Sequence, residues 1–131
     1  MKFSDQVMKP QKLKHEVKEK WLKALRSGEY KQGRNTLYNP DTDQYCCLGV
    51  LCELAFQESV CTKEVRTDNG YYATYYSGHD GLPPTNVRVW AGLTDAAYDS
   101  LFMIENDSLA FFNDVKKLSF NEIADLIENN L

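Results

Sequence analysis

"QYCCLGVLCELAF", residues 44–56, sets two adjacent cysteines at the mouth of an apolar run that holds a third cysteine and a glycine. Leu48, Val50, Leu51, Leu54 and Ala55 make this run too long and too continuous for one half-exposed strand. The spacing predicts a buried helix over 48–57, entered directly from a strand that carries Tyr45 and Cys46. A helix apolar on every side has to be wrapped by other elements, so its reading decides the fold.

On the amino-terminal side, "KLKHEVKEKWLKALRSG" puts Leu13, Val17, Trp21, Ala24 and Leu25 on one stripe at helical spacing, with lysines opposite. Gly28 is a natural stop, and Arg26 sits in the last turn. Between the two helices, alternation at 36–38 and 44–46 flanks "NPDTD", whose Pro and Asp residues favour a turn, so a hairpin is predicted. A second hairpin is predicted around Asn69-Gly70 in "KEVRTDNGYYATYY". Pro84 opens a short helix through "TNVRVWAGL" that Gly92 closes, with Trp90 expected to point inward. "TDAAYDSLFMIEND" fits no template, and "SLAFFND" is read as a short strand or turn. In "LSFNEIADLIENNL" a capping box, Ser119 with Glu122, starts an amphipathic helix expected to pack on the sheet.

At 131 residues, 43% apolar and 26% charged, the chain supports one core. The expected architecture is an α+β single domain, 1–131: a small antiparallel sheet packed by an amphipathic N-terminal helix, a central buried helix and a C-terminal helix. No apolar run reaches the roughly 18 residues of a membrane span, and the first 16 residues lack the apolar core of a secretory signal. A cytosolic protein with reduced thiols is expected, and Cys46 beside Cys47 does not resemble a disulfide framework. The net charge of −4 hides a split: residues 1–40 carry ten bases against four acids, residues 41–131 five against fifteen. Either the basic part takes an anionic ligand or an acidic partner subunit, or the two parts neutralise each other within the fold. DNA binding is disfavoured, because an acidic chain repels the backbone that dominates such affinity.

Three kinds of chemistry compete for these residues. Cys47, at a strand-to-helix junction, sits where a helix dipole lowers a thiol pKa, so a papain-like hydrolase is one reading. It needs a base, and only His15 and His79 are present, the latter beside Asp80. A zinc site fits poorly: no CxxC occurs, and Cys47 and Cys52 would be turned about 140° apart on a helix. Neither GxxxxGK[ST] nor GxGxxG is found. The remaining cluster is "GEYKQGRNTLY", which supplies Tyr30, Lys31, Gln32, Gly33, Arg34, Asn35 and Tyr38 within nine residues. Arg and Lys neutralise phosphate, Tyr stacks on bases, Gln and Asn read base edges, and Gly lets backbone approach a ligand. An ordinary exposed loop can hold the same residues. Tyr72 and Tyr75 would add a second stacking wall, alternate tyrosines of that strand facing the core.

In order, "KEKWLKALRSGEYKQGRNTLYN", "YCCLGVLCELA", "LPPTNVRVWAGL" and "FFNDVKKLSFNEIADLIENNL" resemble a family of small tailed-bacteriophage proteins of mostly unassigned function. The resemblance covers two thirds of the chain, with "ALRSGEYKQG" and "YCCLGVLC" its strongest anchors; "FFND" departs from a leucine-rich version. It implies no catalytic residue and no cofactor. It implies a phage setting, a small accessory protein in the cytoplasm of the infected bacterium, for which counter-defence is a frequent role. Sponges that sequester the cyclic oligonucleotide signals of CBASS immunity are one such class. Setting and cluster together suggest a non-enzymatic binding protein for a cyclic dinucleotide, its bases stacked by Tyr30, Tyr38, Tyr72 and Tyr75 and its phosphates paired with Lys31 and Arg34. A small domain buries such a ligand best between subunits, so an even-numbered homo-oligomer is expected. A protein-interaction module that inhibits a host enzyme through its acidic surface is the third reading.

Overall fold

The computed structural model describes residues 13–92, 103–104 and 107–131. Its central element is the predicted buried helix, α2 (Cys47–Gln57), which begins one residue earlier than the apolar pattern suggested. Cys46 is its N-cap, and the Cys46 sulfur accepts a hydrogen bond from the Gly49 amide at 3.4 Å. Leu48, Val50, Leu51, Cys52 and Ala55 are all buried.

Helix α1 (His15–Arg26) lays the stripe Val17, Trp21, Ala24 and Leu25 against this core and stops before Gly28, whose φ is +78°. The Trp21 indole is fully buried and donates to the Cys47 carbonyl at 3.0 Å, which joins α1 to the first turn of α2. Burying such a side chain with its polar handle satisfied is worth roughly 2–3 kcal/mol.

Strands β1 (Tyr38–Asn39) and β2 (Gln44–Tyr45) pair Tyr38 with Tyr45 around the expected turn. Strands β3 (Lys63–Asp68) and β4 (Tyr71–Tyr76) form the second hairpin, and Asn69 and Gly70 both have positive φ, as a tight two-residue turn requires. Helix α3 (Thr85–Ala91) follows Pro84 and ends at Gly92 with φ +94°, and Trp90 packs half-buried against the core. Two-residue strands β5 (Met103–Ile104) and β6 (Asp107–Ser108) lead into α4 (Leu109–Asp114) and α5 (Phe120–Asn130). The Ser119–Glu122 capping box is present.

Three expectations change. The fold is α+β with small antiparallel pairing, as expected, but the strands form separate two-stranded ladders rather than one sheet. Residues 109–114 are helical, because Ser108 caps the Phe111 amide and Leu109 and Asn113, four apart, both point inward. Helix α5 packs on α1 and α4 rather than on a sheet, its buried Phe120, Ile123, Ala124 and Ile127 meeting the α1 stripe. The unclassified stretch 94–107 lies largely outside the described residues. No helix among the described residues is long and apolar enough to cross a membrane.

Candidate functional site

The cysteine mouth is interior. Cys47 is fully buried, its sulfur directed at the Leu109 carbonyl at 3.7 Å, and burial pushes its thiol well above the ordinary value. Burial likewise pushes Cys46 up to about 11, against the weaker pull of the Gly49 amide. All four cysteines are free thiols in the core. The two histidines stand elsewhere: His15 is exposed beside Glu19, and His79 is exposed in the loop after β4, bonded through its backbone to Tyr76. A thiolate nucleophile needs a lowered pKa and an adjacent base, and the described residues give Cys47 neither. They also contain no cluster of three metal-ligating side chains.

The segment 31–37 passes directly over the start of α2. Gly33 donates to the Tyr45 carbonyl at 2.7 Å, Tyr45 donates to the Lys31 carbonyl at 2.8 Å, and Cys46 donates to that of Leu37 at 3.3 Å. The approach is close enough that a Cβ on Gly49 would stand 1.7 Å from the Leu37 carbonyl oxygen, and one on Gly33 2.7 Å from Gln44 Cβ. From the other side the segment is clamped by Asn113, whose amide is fully buried. Asn113 Oδ1 accepts from Gln32 Nε2 (2.9 Å) and the Cys47 amide (3.2 Å), while Nδ2 donates to the Gly33 carbonyl (2.9 Å) and Asp114 (2.8 Å). All four bonding positions of that amide are filled. Asp114 in turn accepts from the Asn35 amide at 3.0 Å, and Gln32 also donates to the Leu118 carbonyl at 2.8 Å.

This arrangement divides the eight predicted site residues. Gln32 faces inward with its donors committed to Asn113 and Leu118, so it holds the loop. Asn35 takes a left-handed backbone, φ +70°, and is tied to Asp114 through its amide. Tyr30 packs edge-on against Tyr45 at 5.3 Å, and Tyr38 lies tilted on the same ring at 4.4 Å. The Tyr38 hydroxyl donates to Asp43 at 2.7 Å, and burial followed by that carboxylate pushes it up to about 12. Tyr72 and Tyr75 lie on opposite faces of the β3–β4 hairpin, so one ligand does not meet both from one side. Tyr72 is 56% exposed, whereas Tyr75 stacks on Arg66 at 4.4 Å. Lys31 and Arg34 remain exposed, and neither has a side-chain partner among the described residues.

The pattern of apolar residues concealed a second polar cluster. Glu53, buried on α2, accepts from Lys63 Nζ at 2.7 Å and from the Tyr76 hydroxyl at 2.9 Å. The Lys63 ammonium also sits over the rings of Tyr38 (4.7 Å), Phe56 (5.6 Å) and Tyr76 (5.7 Å). Burial, reinforced by Glu53, raises the Tyr76 hydroxyl far above its ordinary value. The signal in the sequence was the single carboxylate inside "LCELAF", since an acid among apolar residues calls for a buried partner.

A family model, described as a domain of unknown function (DUF8296), matches residues 13–131. The chain belongs to that family. No curated protein and no solved structure matches it.

Within this DUF8296 domain the charge split is answered inside the fold at two cations of α1. Lys20 pairs with Glu58 at 2.7 Å, Arg26 with Asp125 and Glu128 at 2.7 and 2.8 Å, and Lys18 donates to the Glu128 carbonyl at 3.0 Å. Lys20 and Arg26 thus meet acids at the end of α2 and on α5, part of the neutralisation that the composition left open. Lys31 and Arg34, on the clamped segment of the same domain, are left out of it, as are the exposed Lys14 and Lys23.

Proposed function

We propose that the chain is a non-enzymatic binding protein that captures a nucleotide second messenger, a cyclic dinucleotide, as a phage counter-defence sponge in the cytoplasm of the infected bacterium. One observation carries this reading: Lys31 and Arg34 project, exposed and unpaired among the described residues, from a backbone held on both sides by hydrogen bonds, whereas Lys20 and Arg26 of α1 are paired with acids. A cation that is fixed at its root, exposed and unpaired keeps its charge available for an anion at little ordering cost. Tyr30 and Tyr38 stand beside it as the aromatic surface, and the exposed Tyr72 offers a base-stacking face of its own. The buried thiols favour capture over cleavage. The surface is open, so enclosing the ligand calls for a second copy of the chain, in an even-numbered homo-oligomer.

The test is incubation with cyclic dinucleotides, removal of free ligand, and heating. Release of intact nucleotide supports a sponge, release of degraded nucleotide supports an enzyme, and no retention refutes both. Mass spectrometry of small molecules that co-purify from a host making immune nucleotides identifies the ligand.

A further inference from the structure

The clamps that hold 31–35 also fix where residues 115–117 lie. Asp114 bonds the Asn35 amide and the Leu118 carbonyl bonds Gln32, so both ends of 114–118 are tied to 32–35. Arg34 lies between the tied points on one segment, and Lys116 and Lys117 lie between them on the other. The intervening chain spans at most about 14 Å, so cations eighty residues apart in sequence become neighbours. Residues 41–131 hold only five bases, and two of them are here. Lys117 has no side-chain partner among the described residues. Lys116 rests over Phe111 and Phe112 at 5.9 and 5.4 Å and is 3.8 Å from Asp107, both members of that pair well exposed. Such a pair yields readily to a better anion. Two carboxylates face the region: Asp107, loosely held to Lys116, and Asp114, already occupied by the Asn35 amide and Asn113.

We infer that Lys116 and Lys117 form, with Lys31 and Arg34, one composite phosphate-binding surface, in which each of the two clamped segments takes one phosphate of a ligand that carries two. This rests on the nucleotide reading above and sharpens it: two separated cation pairs select a cyclic dinucleotide over a cyclic mononucleotide, which engages only one segment. The Phe111 and Phe112 rings lie at the second segment, where the ligand's apolar face would rest.

The experiment measures Kd for the 3′,3′-linked cyclic dinucleotides of adenine and guanine and for 3′,5′-cyclic AMP, on the full chain. The variants are Arg34→Ala and the double variant Lys116→Gln/Lys117→Asn. Gln keeps the aliphatic cover of the phenylalanines, and Asn tolerates the positive φ of position 117, which is +57°. Wild type is expected to prefer a dinucleotide at least tenfold. The double variant should lose about tenfold in dinucleotide affinity and little for the mononucleotide, collapsing the preference with the melting temperature unchanged. Dinucleotide binding that falls with Arg34→Ala but not with the double variant overturns the composite surface and leaves the nucleotide reading standing. A wild-type chain that retains none of these nucleotides overturns both.

Discussion

The two polar clusters of this molecule, one around Glu53 and one around Arg34, use charge in opposite ways. Lys63 gives its ammonium to a buried carboxylate and three aromatic rings, and nothing of it is left to offer a ligand. Arg34 is displayed by a segment whose backbone is hydrogen-bonded on either side of it, at Gly33 and Asn35, while its side chain has no such partner among the described residues. Lys63 sits over Tyr38 of the Tyr38–Tyr45 pair, and the segment that carries Arg34 bonds to the Tyr45 backbone. Residue type therefore does not separate a structural cation from an available one; the partner does. In a low-dielectric setting a charge is kept only if it is paired, whereas at the surface it can remain unpaired at little cost.

The two regions meet where 31–37 crosses α2, and the largest expected effect belongs there. Gly49→Ala puts a methyl group 1.7 Å from a backbone oxygen, and neither partner is a flexible side chain that can move aside. The variant should lose about 3 kcal/mol or more, the upper range for overpacking, read as a lower urea midpoint. A midpoint equal to wild type would show that the crossing is looser than described.

Lys63→Met tests the buried side of the comparison. It strands the Glu53 carboxylate with the Tyr76 hydroxyl alone, and the expected loss is about 2–3 kcal/mol, below the full cost of breaking a buried pair because Lys63 retains some solvent contact. Adding Glu53→Leu should return part of that loss, since no uncompensated charge then remains. If the double variant is less stable than Lys63→Met, the pair is not what holds α2 to the β3–β4 hairpin.

Much of the frame was legible in the sequence because local rules agree there. Helix α1 announces itself by its stripe, α5 by Ser119 and Glu122, and the second hairpin by Asn69-Gly70. Helix α4 was missed because Phe111 and Phe112 read as strand formers, and six residues give too little periodicity to outweigh them. The candidate site was half legible: side-chain chemistry picked out Lys31 and Arg34, but nothing local shows that Gln32 turns inward. Its partner Asn113 lies 81 residues away, and a clamp made by tertiary hydrogen bonds leaves no trace in spacing. The same holds for charge, since Arg26 meets Asp125 only once α5 has folded onto α1.

The cysteines offer a smaller effect, in pH. Burial holds the Cys46 thiol at about 11, whereas an unfolded chain releases that proton at about 8.5. Because the unfolded state ionises first, the contribution is intact below about pH 8.5 and is lost as pH rises through 11. The slope is at most about 1.4 kcal/mol per pH unit for the one group. Cys46→Ser keeps an N-cap oxygen for the Gly49 amide and removes the titrating thiol, so its stability should fall less between pH 9 and 11. An identical slope would mean that Cys46 does not sense its burial.

Arg34→Ala carries the smallest expected change in stability and is therefore the sharpest probe of the exposed cluster. The side chain has no hydrogen bond, ion pair or ring contact among the described residues, and surface truncations of this kind stay within about 0.5 kcal/mol. Capture of a cyclic dinucleotide should nevertheless fall about tenfold or more, with a shallower dependence of affinity on salt, because one phosphate contact has been removed while the fold is untouched. The two readouts have to separate. If stability drops together with binding, Arg34 belongs with Lys63 among the cations the fold has consumed; if neither moves, the residue has no part in the site.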